Sequence, residues 1–375
     1  MLLNDLPDDC LWLIFDNFFK LEELIQLSEV CSKWSNLIDL RFKKVKYLFN
    51  KSRLVPHLDY SKVWMEQLKT IRRYNLRELL PNLRIFDISY HYYGQTYKMH
   101  YFEKVINNPK IKGIVGLNTF YDYNLKNIEM VSIDFLRAPY KKRFRRDQLK
   151  QIRYKDYFYL HNLFELVEYF PNLKRLNIWF SGEQVRYNGP NLPNLKIFES
   201  AISGKSDNCN AFHVMDFCPS LESAYIYNQS DDKFTNMAQK NYNLRDFVIG
   251  IPLGIHLTWS FLRGLLSKYP NLQNLAVRGG DAIKDSRVEE LVKLLPEIKL
   301  LDFRRSKGVT SKSADFLSKF CRKSYRSIKI YYDCEKEPID WPKLDTPEEL
   351  IVYGFDFMKH CFYKNFHRLP DLIDE

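Results

Sequence analysis

Among the 375 residues the side chains that catalysis or metal binding would need are present but never brought into a working pattern. The eight histidines form no His-Glu-x-x-His pair, and the seven cysteines (10, 31, 209, 218, 321, 334, 361) contain no Cys-x-x-Cys. No metal or other cofactor is expected. An odd, scattered set of cysteines also argues against a disulfide framework, so reduced thiols in the cytosol or nucleus are expected. Cys218, just before Pro219, reads as a packing thiol rather than a nucleophile. Gly182, Gly189, Gly204, Gly250 and Gly254 assemble no phosphate loop, Gly279-Gly280 reads as a turn, and no Gly-x-Ser-x-Gly elbow occurs. The expectation is a chain without an activity of its own. No run approaches the roughly 18 apolar residues of a membrane span, and Asn4 and Asp5 interrupt the apolar start, which is unlike a secretory signal.

What is present is apolar material for a real core: 45% of residues are hydrophobic, enough for one large or two ordinary domains. The net charge of +11 is concentrated, because residues 137, 141, 142, 143, 145, 146, 150, 153 and 155 are basic and only Asp147 opposes them. This reads as a local basic insertion between about 137 and 155. Its cations alternate with Tyr140, Phe144 and Tyr154, as in single-stranded nucleic-acid binders. A nuclear targeting signal, a patch for an acidic or phosphorylated partner, and a solvated loop remain open beside that reading.

The first 45 or so residues carry more apolar surface than so short a segment hides by itself. Pro7 suits a first helical turn, and Asp8 and Asp9 suit a helix N-terminus. Leu11, Ile14, Phe15 and Phe18 recur at i, i+3, i+4, i+7 as one stripe. A second helix is expected from about Glu22 with Leu24, Ile25 and Leu27 inward, and a third through Trp34, Leu37 and Ile38. An apolar neighbour is the simplest completion. Leu6-Pro7, Leu11, Ile14-Phe15, Glu23-Leu24-Ile25, Val30-Cys31 and Trp34 closely resemble an F-box. Cys10, where an aliphatic is usual, and Ile25, for a frequent Leu, are small departures. The resemblance implies docking onto the Skp adaptor of cullin-RING ubiquitin ligases. It assigns that contact to Leu6, Pro7, Leu11, Ile14, Phe15, Leu24, Val30, Cys31 and Trp34.

Beyond this unit the chain repeats. Pro-Asn-Leu or a close variant precedes an apolar alternation at 81–88, 171–178, 193–198, 219–226, 270–277 and 296–303, with Asn-Leu-Arg-Asp-Phe-Val-Ile at 243–249. The first apolar position falls at 173, 195, 221, 244, 272 and 298, the period of leucine-rich repeats. Helical patterns lie between, through Leu160–Val167, Leu262–Tyr269 and Val288–Leu295, the last with Ser286 and Glu289 at capping-box spacing. A proline follows each helix and stops it. Neither strand nor helix of one unit is buried alone, so stacking is required. Ser200 sits where an aliphatic belongs, the expected Asn after each strand is mostly absent, with Asn228 one of few candidates, and the period breaks between Leu125 and Leu173. Another strand is expected within 324–333.

The fold class expected is therefore α/β: a three-helix F-box followed by a curved leucine-rich-repeat solenoid, strands concave and helices convex. The segments are an F-box at 1–48, a helical linker or N-terminal cap at 49–80, degenerate repeats at 81–333 and an aromatic C-terminal cap at 334–375. Side chains alternating with the buried strand positions should face a partner. Arg175, Trp179, Tyr225, Tyr227, Arg278 and Arg304 form that candidate substrate-binding set, because Trp, Tyr and Arg dominate interface energetics. The resemblance implies a non-catalytic substrate receptor of a Skp–cullin–F-box ligase. A non-ubiquitylating scaffold on the same adaptor, and a nucleic-acid binder using 137–155, are the alternatives.

Overall fold

A computed structural model describes residues 3–50, 59–66, 70, 73–87, 100–117, 125–133, 140–180, 186–202, 211–227, 233–252, 254–280, 282–334 and 371–374. Two compact units divide the chain, residues 1–149 with 364–375, and residues 150–363.

The first unit opens with helices α1 (Asp8–Phe15), α2 (Leu21–Ser28) and α3 (Ser32–Lys44). Strands β1 (Tyr47–Asn50) and β2 (Lys62–Met65) follow, then α4 (Leu76–Leu79), β3 (Ile85–Asp87), α5 (His100–Ile106), β4 (Gly113–Leu117), β5 (Met130–Ile133) and α6 (Tyr140–Arg143). The strands are parallel in the order β2-β1-β3-β4-β5, with Tyr47 opposite both Lys62 and Ile85. Two expectations need correcting. The segment 49–80 is not simply a helical linker, because Lys62–Met65 alternates half-buried and buried residues with the period of a strand. A helical boundary at 48 would cut β1 in half.

The second unit runs β6 (Gln151–Phe158), α7 (Leu160–Tyr169), β7 (Arg175–Phe180), β8 (Ile197–Ile202), α8 (Ala211–Val214), β9 (Ser223–Tyr227), β10 (Asp246–Gly250), α9 (Trp259–Leu266), β11 (Asn274–Arg278), α10 (Asp285–Leu294), β12 (Leu300–Asp302), α11 (Ser311–Ser324) and β13 (Lys329–Tyr331). From β7 onward each strand pairs in parallel with its predecessor, so the spatial order within this unit is the chain order. Leu176, Phe198, Ala224, Phe247, Leu275 and Leu301 fall in one register row and are all buried. Phe247 meets Phe212 of α8 and Tyr269 beyond α9 edge-on, which marks this row as the helix-covered face.

Local chemistry explains the repeat. Leu173, Leu195, Leu221, Leu244, Leu272 and Ile298 are buried where each strand is approached. Where an Asn precedes the Leu it ties its repeat to the one before: Asn194 donates to the Pro171 carbonyl at 2.9 Å, Asn243 to Pro219 at 2.9 Å and Asn271 to Tyr242 at 2.9 Å. In the first unit Asn82 does the same to Lys43 at 2.7 Å. Gly279 has φ +85°, and a Cβ there would strike the Ile251 carbonyl oxygen, so the Gly279-Gly280 turn has to be glycine. Ser286 does not cap α10. The helix starts one residue earlier, and Asp285 instead accepts from Thr310 N and Oγ1 at 2.9 and 2.7 Å, joining α10 to the start of α11. The strand expected in 324–333 is β13, after α11 ends at Tyr325 in the left-handed region. Of the proposed C-terminal cap, residues 335–370 and 375 lie outside the described residues, as does Asn228.

Candidate docking surface

α1 carries two apolar stripes on opposite sides. Leu11 and Phe15, four residues apart, are buried, and Phe15 packs edge-on against Trp34 of α3 with ring centroids 5.2 Å apart. Leu21, Leu24 and Ile25 of α2 and Leu37, Ile38 and Phe42 of α3 close the same interior. The guanidinium of Arg41 lies buried 3.5 Å from Asp16, joining the end of α1 to α3. Among the described residues nothing covers the second stripe. Leu13 is 70% exposed, Ile14 36%, Leu3 58% and Val30 56%, with Pro7 and Cys10 exposed beside them and Leu6 and Cys31 half-buried. Residues 4–8 and the start of α3 are neighbours, because Lys33 donates to the Leu6 and Asn4 carbonyls at 2.7 and 3.3 Å and pairs with Asp8 at 3.4 Å. Exposed apolar side chains concentrated on one short helical segment are characteristic of a protein contact.

The residues assigned to docking by resemblance therefore divide. Leu6, Pro7, Ile14, Val30 and Cys31 stand on the outer face. Leu11, Phe15, Leu24 and Trp34 do not. They fill the interior of the helices, which corrects their reading as surface contacts and makes them supports of that surface. Leu3 and Leu13 were missed. Residues 6, 10, 13 and 14 follow helical spacing as well as 11, 15 and 18 do, but assigning Ile14 to the inner stripe hid the outer one.

The α2 start is bound to β2. Glu22 accepts from the Glu66 amide at 3.1 Å and from Thr70 Oγ1 at 2.7 Å, the Trp64 amide donates to the Phe19 carbonyl at 2.8 Å, and Lys20 pairs with Glu66 at 2.6 Å. The three helices are thus part of the first unit rather than a bead on a tether.

The candidate substrate-binding residues share the sheet face opposite the helices, as alternation requires, but four of them are buried. Arg175 Nε lies 3.3 Å from Glu199, which also accepts from Asn177 at 3.4 Å. Arg278 pairs with Asp302, and Arg304 donates to both Asp302 oxygens at 2.9 and 2.7 Å while its guanidinium lies 5.0 Å from the Tyr331 ring centre. Tyr225 is fully buried, and Trp179 and Tyr227 are half-buried. Arg175, Tyr225, Arg278 and Arg304 are therefore not an open contact surface. A buried cation has to meet acids and dipoles of its own fold, and these do. Burial alone would raise the Asp302 carboxyl, but the Arg278 and Arg304 charges and hydrogen bonds more than reverse this and hold it below the usual carboxylate range.

Residues 137–139 of the basic segment lie outside the described residues, and the rest is not an inserted loop. Tyr140–Arg143 is helical, Gln151 onward is β6, and Phe144, Leu149, Ile152, Arg153 and Tyr154 are buried. Gln148 donates to the Ile128 carbonyl at 2.8 Å, fixing the turn. Lys141, Lys142, Arg145 and Arg146 remain exposed, whereas Phe144 and Tyr154, read as stacking platforms, face inward. No group of three or more metal-ligating side chains occurs among the described residues, and no helix among them is long and apolar enough to cross a membrane.

A short helical unit that buries one apolar stripe and leaves a second uncovered is a docking module. The family model for the F-box domain matches residues 3–46, so this part of the chain is an F-box domain. F-box domains bind the Skp adaptor and thereby the cullin, and possession of one suggests an adaptor role in Skp–cullin–F-box ubiquitin ligase complexes. No curated protein matches the chain.

Proposed function

We propose that this chain is the substrate-recognition subunit of a Skp–cullin–F-box ubiquitin ligase, with the F-box on the adaptor and the repeats on a protein substrate. The observation that carries the reading is the uncovered stripe of Leu3, Leu13, Ile14 and Val30 on a domain whose own interior is complete. The in-order parallel strands, the buried Leu before each strand and the Asn that bonds to the previous repeat support a degenerate leucine-rich-repeat architecture for the second unit. The chain itself is non-catalytic in this reading. It accelerates transfer by holding a target's lysines near ubiquitin activated on other subunits, which raises effective concentration. The cytosol or nucleus is the compartment this requires.

Affinity capture of the full chain under proteasome inhibition tests it. Wild type brings down Skp adaptor, cullin and ubiquitylated clients, and the Ile14→Asp/Val30→Asp variant loses all three. Adaptor without cullin or ubiquitylated clients would make the chain a scaffold instead. No adaptor at all would end the reading.

A further inference from the structure

On the sheet face opposite the helices of the second unit, most strand positions are closed. Glu199, Tyr225, Val248, Ala276 and Asp302 form one register row there, and all are buried. The neighbouring row towards the strand starts differs from β9 onward. Ser223, Asp246, Asn274 and Leu300 stand on its consecutive rungs and are each half-buried, an unbroken half-open strip. Parallel strands lie about 4.8 Å apart, so the strip runs roughly 14 Å. Within it, one Asp246 carboxylate oxygen accepts from Ser223 Oγ at 2.6 Å and the other from Asn274 Nδ2 at 2.8 Å. Both donors are neutral. The buried carboxylates described above on this face, Glu199 and Asp302, meet arginines. No cation pairs with Asp246 among the described residues. Burial pushes its carboxyl above the ordinary range, the bonds from Ser223 and Asn274 offset this in part, and the Glu222 charge adds to it. A carboxylate so placed stays short of a counter-charge that its own fold does not supply.

We propose that Asp246, with Ser223 and Asn274, forms a docking notch for a lysine or arginine side chain of a protein partner. The proposal rests on the reading of the second unit as the substrate-holding part and gives that substrate a basic residue at the contact. The two neutral donors hold the carboxylate in place without neutralising it, so an incoming cation meets an acceptor already oriented. Leu300, half-buried two rungs from Asp246, gives the same segment an apolar contact. Nucleic acid is the wrong partner, because its phosphates would meet a carboxylate instead of the cations that they require. The net charge of +11 repels polycations in general, so a basic peptide that binds must find a local acid.

The test uses the full chain, alone and in complex with Skp adaptor, with fluorescein-labelled deca-lysine and deca-glutamine read by anisotropy. Deca-lysine should bind wild type, and deca-glutamine should not. Asp246→Asn keeps the shape and removes the charge, and should weaken deca-lysine binding about ten- to a hundredfold, the worth of one hydrogen bond to a charged group. An unaltered or raised melting temperature establishes that it folds. Asn274→Lys is the second variant. It sets an ammonium on the adjacent rung, where it pairs with Asp246 across the strands, and should abolish binding without lowering the melting temperature. Wild-type affinity in either folded variant, or no binding to wild type, overturns the proposal. Sedimentation velocity without peptide tests a second copy as the occupant: a dimer that Asp246→Asn dissolves overturns the assignment to a different protein. Deca-lysine bound through Asp246 by a chain that never associates with adaptor defeats the receptor reading and leaves the notch standing. Adaptor association without Asp246-dependent binding does the reverse.

Discussion

Replacing Leu13 and Val30 together by alanine should separate docking from folding. Burying a Leu or Val side chain is worth about 1.5–3 kcal/mol. With 70% of Leu13 and 56% of Val30 still exposed, the pair has about 2–3.5 kcal/mol to contribute on association, or roughly 30- to 300-fold in Kd. Neither side chain takes part in the interior, so folding stability should move by no more than about 0.5 kcal/mol. Leu11→Ala is the contrast. Leu11 is fully buried, and its truncation should cost about 2–5 kcal/mol of folding free energy. Titration calorimetry with purified Skp adaptor, run beside urea denaturation of each variant, reads both quantities. A Kd within threefold of wild type for the double variant would refute the reasoning. So would a loss of stability in the double variant equal to that of Leu11→Ala, since the outer stripe would then be structural.

Further outcomes follow from the second unit. Asp302→Ala strips the shared counter-charge from two buried arginines and should cost about 3–5 kcal/mol in urea denaturation. Because the folded carboxyl titrates below its unfolded value, its stabilisation should be complete above about pH 4 and be lost as pH falls through the lower folded value, so wild type and variant converge in acid. Ser200 stands in register between Ile178 and Ile226, fully buried, and its hydroxyl has no hydrogen-bond partner among the described residues. Ser200→Ala should therefore raise stability by about 1 kcal/mol, and a loss would contradict the buried placement. Gly279→Ala should destabilise by about 2 kcal/mol or more through left-handed strain and collision with Ile251. Cys218, buried and with its thiol pushed up by desolvation, should resist iodoacetamide in the native protein while exposed Cys10 is labelled.

The repeats were legible because their signal is local: Pro-Asn-Leu stops a helix, starts a strand and supplies the Asn that bonds to the repeat before. Of the stripe Leu11, Ile14, Phe15 and Phe18, Leu11 and Phe15 were legible for the same reason, whereas Ile14 faces outward and Phe18 lies beyond the end of α1. What escaped depends on long-range register or on three-dimensional cover. Strand β2 lacks the Pro-Asn-Leu signature and was read as linker. Arg175, Arg278 and Arg304 carry the composition of an interface, yet Glu199 and Asp302, each more than twenty residues from at least one partner, take them as interior ion pairs. That Lys150, Lys174 and Lys196 stand side by side was invisible in a linear count of charge, because only the strand register aligns them.

The stitching of α2 to β2 has a mechanical consequence. Under the proposed reading, a receptor hung from its ligase by a slack linker would let the rest of the chain swing, and many orientations of a captured lysine would be sampled and wasted. Glu22, Thr70, Trp64 and Lys20 instead join the F-box helices to a strand, so under that reading the first unit would be a stiff bracket whose angle is inherited from the adaptor. Loosening that weld, as with Glu22→Ala, should leave adaptor affinity nearly intact while broadening the angular range over which this unit is presented.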